Sequence, residues 1–306
     1  MKLAFAGTPD FAATILEGLI VSDHEVGLVI SQPDRRRGRG RKPLGSPVTE
    51  LALATNLPLL RPIRIGEAAE EIAACDALVV AAYGQILRPD TLYAAKEGAW
   101  NVHASLLPAY RGAAPIERAI MAGEKETGVS IMRMNEGLDT GPVALLRRTS
   151  IPPETTGGEL TQILADLGAE AVVEVMHDLE ENSLTLSKQD NLRATYAAKI
   201  GDEERVIRWG SPVEKVHDLV RALTPHIGAR TFHPRIPGPI KVLRSRIFEK
   251  GTRQEEPGTI LPAEGCILVA CGEGVLEVME LQAPGGRVLS AGDFVRGRPL
   301  EGAFSS

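Results

Sequence analysis

Residues 2–20 read KLAFAGTPDFAATILEGLI, and this stretch decides the fold. A short apolar run ends at Gly7, after which Phe11, Ile15, Leu16 and Leu19 recur at helical spacing behind a Thr-Pro start. The order is strand, glycine turn, helix. It repeats downstream: EVGLVIS (25–31) predicts a strand, SPVTELALAT (46–55) a helix with Ser46 as N-cap and Pro47 in its first position, and ALVVAAY (77–83) a buried strand. Such alternation predicts a parallel α/β sheet. Beyond it come a helix over APIERAIMAG (114–123), extended runs TGVSIMRM (127–134) and PVALLRRTSI (142–151) around NEGLDTG (135–141), and a long helix near 157–181.

The character changes near residue 185. LSKQDNLRATYAAKIGDEE (186–204) is polar and weakly patterned, and short apolar runs follow, spaced by Gly and Pro: IKVLRSRIF (240–248), GTILPA (258–263), CILVACG (266–272) and GVLEVMEL (274–281). We expect a Rossmann-like open parallel sheet domain over 1–185, a linker over 186–203, and a smaller OB-like β-barrel domain over 204–306. A chain of 306 residues suits two domains. No apolar run approaches the roughly 20 residues of a membrane span, and the first residues turn polar too soon for a signal peptide, so a cytoplasmic location without membrane contact is expected. Three cysteines without a C-x-x-C pair suit free thiols, and the six histidines show no H-x-x-x-H spacing, so no metal site is indicated.

Asn101 and His103 lie two apart in NVHASLLP (101–108), so on a strand they face the same way. An amide can stabilise a developing oxyanion, and an imidazole can move a proton near neutral pH. In an open parallel sheet, ligands bind beyond the carboxyl ends of strands, where this pair and the loop ASLLPAYRGAAP (104–115) fall. Asp139, flanked by glycines in EGLDTG, sits where a tight turn can return a carboxylate over the strand end. Nucleotide hydrolysis, dinucleotide redox and α/β-hydrolase chemistry lack their usual motifs: there is no G-x-x-x-x-G-K-[ST], no G-x-G-x-x-G after the first strand and no G-x-S-x-G.

FAGTPDFAA, QPDRRRGRGRK, VAAYGQIL, NVHASLLPAYRGAAPIERAI, ETGVSIMRMNEGLDTG and PGTIL occur in this order, and over residues 1–285 the chain resembles the methionyl-tRNA formyltransferases, a branch of the 10-formyltetrahydrofolate-dependent formyltransferase family. The Asn-x-His, Ser-Leu-Leu-Pro and downstream Asp are shared across that wider family, which includes glycinamide ribonucleotide formyltransferase. The resemblance implies Asn101, His103 and Asp139 as the catalytic set. It implies Ser105, Leu106, Leu107 and Pro108, with Tyr83, Gly84, Ile86 and Leu87, as the lining of the folate and pterin site. The implied activity moves the formyl group of 10-formyltetrahydrofolate to the α-amino group of methionyl initiator tRNA, giving N-formylmethionyl-tRNA for translation initiation. A monomer is the expected assembly.

The acceptor is the open choice: methionyl-tRNA, a small amine such as a glycinamide nucleotide or amino sugar, or, without catalysis, a bound RNA or folate. PDRRRGRGRK (33–42) bears on it. Arg35, Arg36, Arg37, Arg39, Arg41 and Lys42 place six cations in eight positions of a chain whose net charge is −6. Neutralising phosphates releases counterions, a gain available with tRNA and largely absent with a small amine. The resemblance matches Gly38-Arg39-Gly40 to a loop element reaching the acceptor stem, which makes Arg39 the discriminating residue and its neighbours phosphate contacts. Residues 207–253 are also basic, with ten Lys or Arg against three acids.

Overall fold

The computed structural model describes residues 1–34, 45–252 and 254–306. Contacts divide the chain into one unit of Met1–Pro115, Glu126–Ser150 and Thr161–Ala197, and another of Ile116–Lys125, Ile151–Leu160 and Ala198–Ser306.

The first unit opens with β1 (Lys2–Gly7), α1 (Asp10–Ile20), β2 (Glu25–Ile30), α2 (Pro47–Ala54), β3 (Leu59–Leu60), α3 (Ala69–Ala73), β4 (Ala77–Ala81), α4 (Pro89–Leu92) and β5 (Ala99–His103). After β6 (Arg111–Gly112) the unit continues with β7 (Glu126–Arg133), β8 (Val143–Ser150), α6 (Gly157–Glu180, from Thr161 onward) and β9 (Tyr196–Ala197), while α5 (Pro115–Ala122) belongs from Ile116 onward to the other unit. Its sheet runs β3-β2-β1-β4-β5-β7-β8; the first five strands are parallel, and β7 and β8 are antiparallel additions. Strand order reverses between β1 and β4, so the ends of β1, β4 and β5 flank a crevice of the kind that takes ligands in this architecture.

Both faces of the sheet are covered, which is why β1 and β4 read as continuous apolar runs. Ala4 and Ala6 of β1 join Leu28, Ile30, Leu78 and Val80 in a cluster against Ile72 and Leu92, while Leu3 and Phe5 are buried on the opposite face. Gly7 allows the close strand-to-helix turn: a Cβ there would lie 2.6 Å from that of Ala12. At α2 the Ser46 hydroxyl accepts from the Thr49 amide, with Pro47 in the first turn.

Two first-unit expectations change. The apolar run 77–83 stops pairing at Ala81, because Ala82 turns to φ +43° and carries Tyr83 off the sheet. Residues 186–197, where the sequence reading sets a linker, belong to the first unit. Ser187 bridges Val143, β9 pairs in parallel with β6, and polar side chains between them are hydrogen-bonded into that unit.

The second unit contains α7 (Val213–Leu223), β10 (Ala229–His233), β11 (Ile236–Glu249), β12 (Ile260–Leu261), β13 (Ile267–Ala270), β14 (Val275–Gln282), β15 (Val288–Ser290) and α8 (Ala291–Gly297). The antiparallel order is β10-β11-β14-β13-β12, with β15 on β14, an OB-like half-barrel. Its two edges meet the chain's last residues: Ser305 bridges Phe232, and Ala303 bridges Thr259. Between them Phe304 stacks on Trp209 at 5.8 Å. Helix α7, absent from the sequence reading, buries Val213, Val216, Val220 and Leu223.

Candidate active site

Strand β5 lies between β4 and β7, and its carboxyl end presents Asn101 and His103 on one face. The Asn101 side chain is partly exposed and engages no other protein group among the described residues. His103 is only 5% exposed.

The loop after β5 is stitched to the sheet by two serines. Ser130 of β7 donates to the Ser105 carbonyl at 2.6 Å and accepts from the Leu107 amide at 2.9 Å. Ser105 is fully buried and donates to the Ala109 carbonyl, so its hydroxyl builds the turn. Leu107 packs against Met132 and Val143, while Leu106 and Pro108 are half-buried. The loop ends at Tyr110, whose φ of +58° is costly for a bulky residue and is held by the Thr195 hydroxyl, which accepts from the Tyr110 amide at 2.8 Å.

This turn brings the Tyr110 carbonyl 2.9 Å from His103 Nε2. A carbonyl only accepts, so Nε2 carries hydrogen and Nδ1 is left to face the other way. There it meets Asp139, with Oδ2 at 3.8 Å. That is too long for a direct hydrogen bond, but a third atom beside the pair can sit about 2.8 Å from both. The Asp139 carboxylate is fixed separately: Oδ2 accepts from the Gly112 amide at 2.8 Å. Gly112 has φ +122°, and a Cβ there would lie 2.8 Å from the Ala197 carbonyl oxygen, so the position requires glycine. Asp139 itself adopts φ +50° in a turn that Asn135 organises by accepting from the Gly137 amide and the Thr140 hydroxyl.

Two backbone groups of the quoted loop, the Tyr110 carbonyl and the Gly112 amide, thus carry roles that no side-chain motif signals. Gln189, outside every quoted motif, adds a third group: its Nε2 donates to the Asp139 and Gly141 carbonyls at 2.8 and 2.7 Å.

The remaining candidates divide by place. Tyr83 is in the core, 1% exposed, and its carbonyl accepts from Thr8 and Gln32. Its buried hydroxyl has no partner among the described residues, and burial pushes its pKa up to about 12. Gly84 has φ +83°, and a Cβ there would meet Gln32 at 2.8 Å. Leu87 is buried, whereas Ile86 is 89% exposed, an apolar side chain open at the carboxyl end of β4. Arg35, Arg36, Arg37, Arg39, Arg41 and Lys42 lie outside the described residues.

In the second unit most cations of the basic stretch are engaged. Arg230 meets Asp202, Arg235 meets Glu301, Arg246 meets Glu277, Lys250 meets Glu214, and the buried Arg221 meets Asp218. Among the described residues, Arg208, Lys241 and Arg244 make no ion pair. Among the described residues, no group of three or more His, Cys, Asp or Glu could hold a metal ion, and no helix is long and apolar enough to cross a membrane.

A family model described as formyl transferase matches residues 1–176, and one described as formyl transferase, C-terminal domain, matches residues 199–299. The chain is 60% identical over 304 residues to the methionyl-tRNA formyltransferase of Rubrobacter xylanophilus, covering 99% of each chain. It is 44% identical over 309 residues to that of Carboxydothermus hydrogenoformans, covering 99% of this chain and 98% of the relative. Among solved structures, the fold matches an N-formyltransferase from Helicobacter canadensis in complex with folinic acid and dTDP-3-aminofucose, with TM-score 0.69 and 18% identity, over 91% of this chain and 98% of that one. Glycinamide ribonucleotide transformylase 1 from Symbiobacterium toebii matches with TM-score 0.53 and 20% identity, over 62% of this chain and 94% of that one.

Proposed function

The chain belongs to the formyl transferase family, and on that premise we propose the reaction it performs: the formyl group of 10-formyltetrahydrofolate passes to the α-amino group of methionyl initiator tRNA, giving N-formylmethionyl-tRNA. Donor and acceptor are both substrates. The observation that carries the reading is Asp139 set against His103 at the carboxyl end of β5, with Asn101 on the same strand face, in a chain alike over its whole length to methionyl-tRNA formyltransferases.

Each residue has a part. The bond from the α-amine to the formyl carbon forms, the bond from that carbon to N10 breaks, and one proton moves from the amine to N10. Asn101, with its amide uncommitted, donates to the oxygen that becomes negative as the amine adds. Asp139 takes the proton that the amine must lose, and His103 Nδ1, sharing the same space, holds a proton for transfer and offsets the developing charge. Because the Tyr110 carbonyl occupies Nε2, that traffic is confined to Nδ1. The exposed Ile86 and half-buried Leu106 and Pro108 supply the apolar rim on which a pterin ring rests, with Tyr83 and Gly84 shaping the backbone beneath.

The tRNA is assigned to charge. Arg39, between Gly38 and Gly40, reads the acceptor end while Arg35, Arg36, Arg37, Arg41 and Lys42 contact phosphates, and Arg208, Lys241 and Arg244, which make no ion pair among the described residues, are further cations for the same polyanion. The chain acts as a monomer in the cytoplasm, where translation starts. The test offers 10-formyltetrahydrofolate with charged initiator tRNA, uncharged tRNA, glycinamide ribonucleotide or an amino-sugar nucleotide. Formyl transfer to methionyl-tRNA alone is expected; transfer only to a small amine overturns the reading.

A further inference from the structure

Three consecutive residues hold the His103–Asp139 pair. The Tyr110 carbonyl takes His103 Nε2, the Gly112 amide takes the Asp139 carboxylate, and Arg111 reaches Asp139 from its other side through Gln189. Arg111 is 2% exposed and makes no ion pair with a carboxylate among the described residues. Its guanidinium instead grips the Gln189 side-chain oxygen twice, from Nε at 3.1 Å and Nη2 at 2.8 Å, and donates from Nη2 to Asn191 Oδ1 at 2.8 Å.

With its oxygen committed to Arg111, the Gln189 amide has one orientation. Flipped, it would set its NH2 against a cation and its oxygen against two carbonyls. Both N–H groups therefore point at the turn, where they bind the Asp139 and Gly141 carbonyls. Those two carbonyls bracket the step at which the chain leaves φ +50° at Asp139 and returns toward β8, and such a conformation persists only when its surroundings over-determine it. The crossing is also tight at Gly141, where a Cβ would fall on the Arg133 carbonyl oxygen, so the turn cannot relax by sliding along β7.

We infer that Gln189, locked by the buried Arg111, is a positioning residue for the formyl transfer, setting the Asp139 carboxylate against His103 Nδ1 from behind. This rests on the reading above, in which Asp139 moves the proton. Gln189 touches neither reacting atom and acts through the backbone of Asp139. Gln189→Met keeps the length of the side chain and removes all four hydrogen bonds. Gln189→Glu keeps acceptance from Arg111 and replaces the two N–H donors of Nε2 with one oxygen facing both carbonyls.

The experiment measures kcat and KM for both substrates in wild type, Gln189→Met, Gln189→Glu, Asp139→Asn, and each Gln189 variant combined with Asp139→Asn. For each single Gln189 variant kcat is expected to fall 10- to 100-fold with both KM values within about twofold, and in the Asp139→Asn background the same substitutions are expected to cost less than about threefold more. If Gln189→Met does not fold, Gln189→Glu carries the cycle alone, since it retains the Arg111 contact. Wild-type kcat in the single variants, or rate losses that multiply in the double variants, overturns the positioning role. Wild-type kcat in Asp139→Asn overturns instead the assignment of Asp139, and the two failures are thereby told apart.

Discussion

Two buried arginines, one in each unit, are held in opposite ways. Arg221 of α7, 4% exposed, donates to the Asp218 carboxylate at 2.8 Å and to the Thr155 carbonyl at 3.0 Å, so its charge is cancelled on its own helix. Arg111 is buried as deeply and is met only by amide oxygens, those of Gln189 and Asn191. A charge paired inside the fold is a strut, and removing it should be felt as instability. One left with neutral partners beside a carboxylate turn keeps its field and passes its orientation on to the next side chain. The difference separates residues that hold a unit together from residues that aim its chemistry.

Asp139→Asn should give the largest effect. Loss of the carboxylate is expected to lower formyl transfer by roughly 10²- to 10⁴-fold, the range for a positioned acid–base group, with the thermal midpoint little changed. Single-turnover rates alongside a melting curve check it. Arg221→Ala should do the reverse, costing about 3 kcal/mol of stability by stranding Asp218, while turnover per folded molecule stays near wild type. A large kcat loss with normal denaturant unfolding would erase the distinction between the two arginines. Gly112→Ala probes where the two roles meet: with φ +122° and the Ala197 oxygen in the way, about 1–3 kcal/mol should be lost, together with rate, because the Gly112 amide moves off Asp139.

The smallest effect comes from an exposed pair in the second unit. The Arg118 guanidinium and then the Gly201 amide hold the Glu204 carboxyl down to about 2 from its ordinary 4.5. A depressed carboxyl stabilises the fold above its unfolded pKa and loses that contribution as pH falls through the folded one. Glu204→Gln is therefore expected to cost under about 1 kcal/mol at neutral pH, since the pair is solvent-screened, with the gap to wild type closing from about pH 4.5 toward about 2. Urea midpoints across that range would show it, and a gap independent of pH would remove the assignment.

Much of the frame was legible. The glycine turn after β1, the Ser46 cap of α2 and the Asn101–His103 spacing depend on neighbours in the chain, and local rules read them. Other features failed for identifiable reasons. ALVVAAY has strand composition to its end, and only the left-handed Ala82 shows that pairing stops at Ala81. Helix α7 does carry a helical stripe at Val213, Val216, Val220 and Leu223, but it falls between the polar segment 186–204 and the apolar runs from residue 240, where the sequence reading rests on charge alone. Gln189, Asn191 and Thr195 sit in an aperiodic polar segment, and such a segment looks like a linker until its partners arrive from elsewhere.

From the sequence alone came the parallel α/β order of the first unit and the β character of the second, because periodicity is a property of short windows, and its resemblance supplied Asn101, His103 and Asp139 as the proposed catalytic set. Tertiary structure alone decided which nitrogen of His103 is free and where the Asp139 carboxylate points. Those depend on Tyr110, on Gly112 at 27 positions from Asp139, and on Gln189 at 50, groups that meet only when the chain has folded.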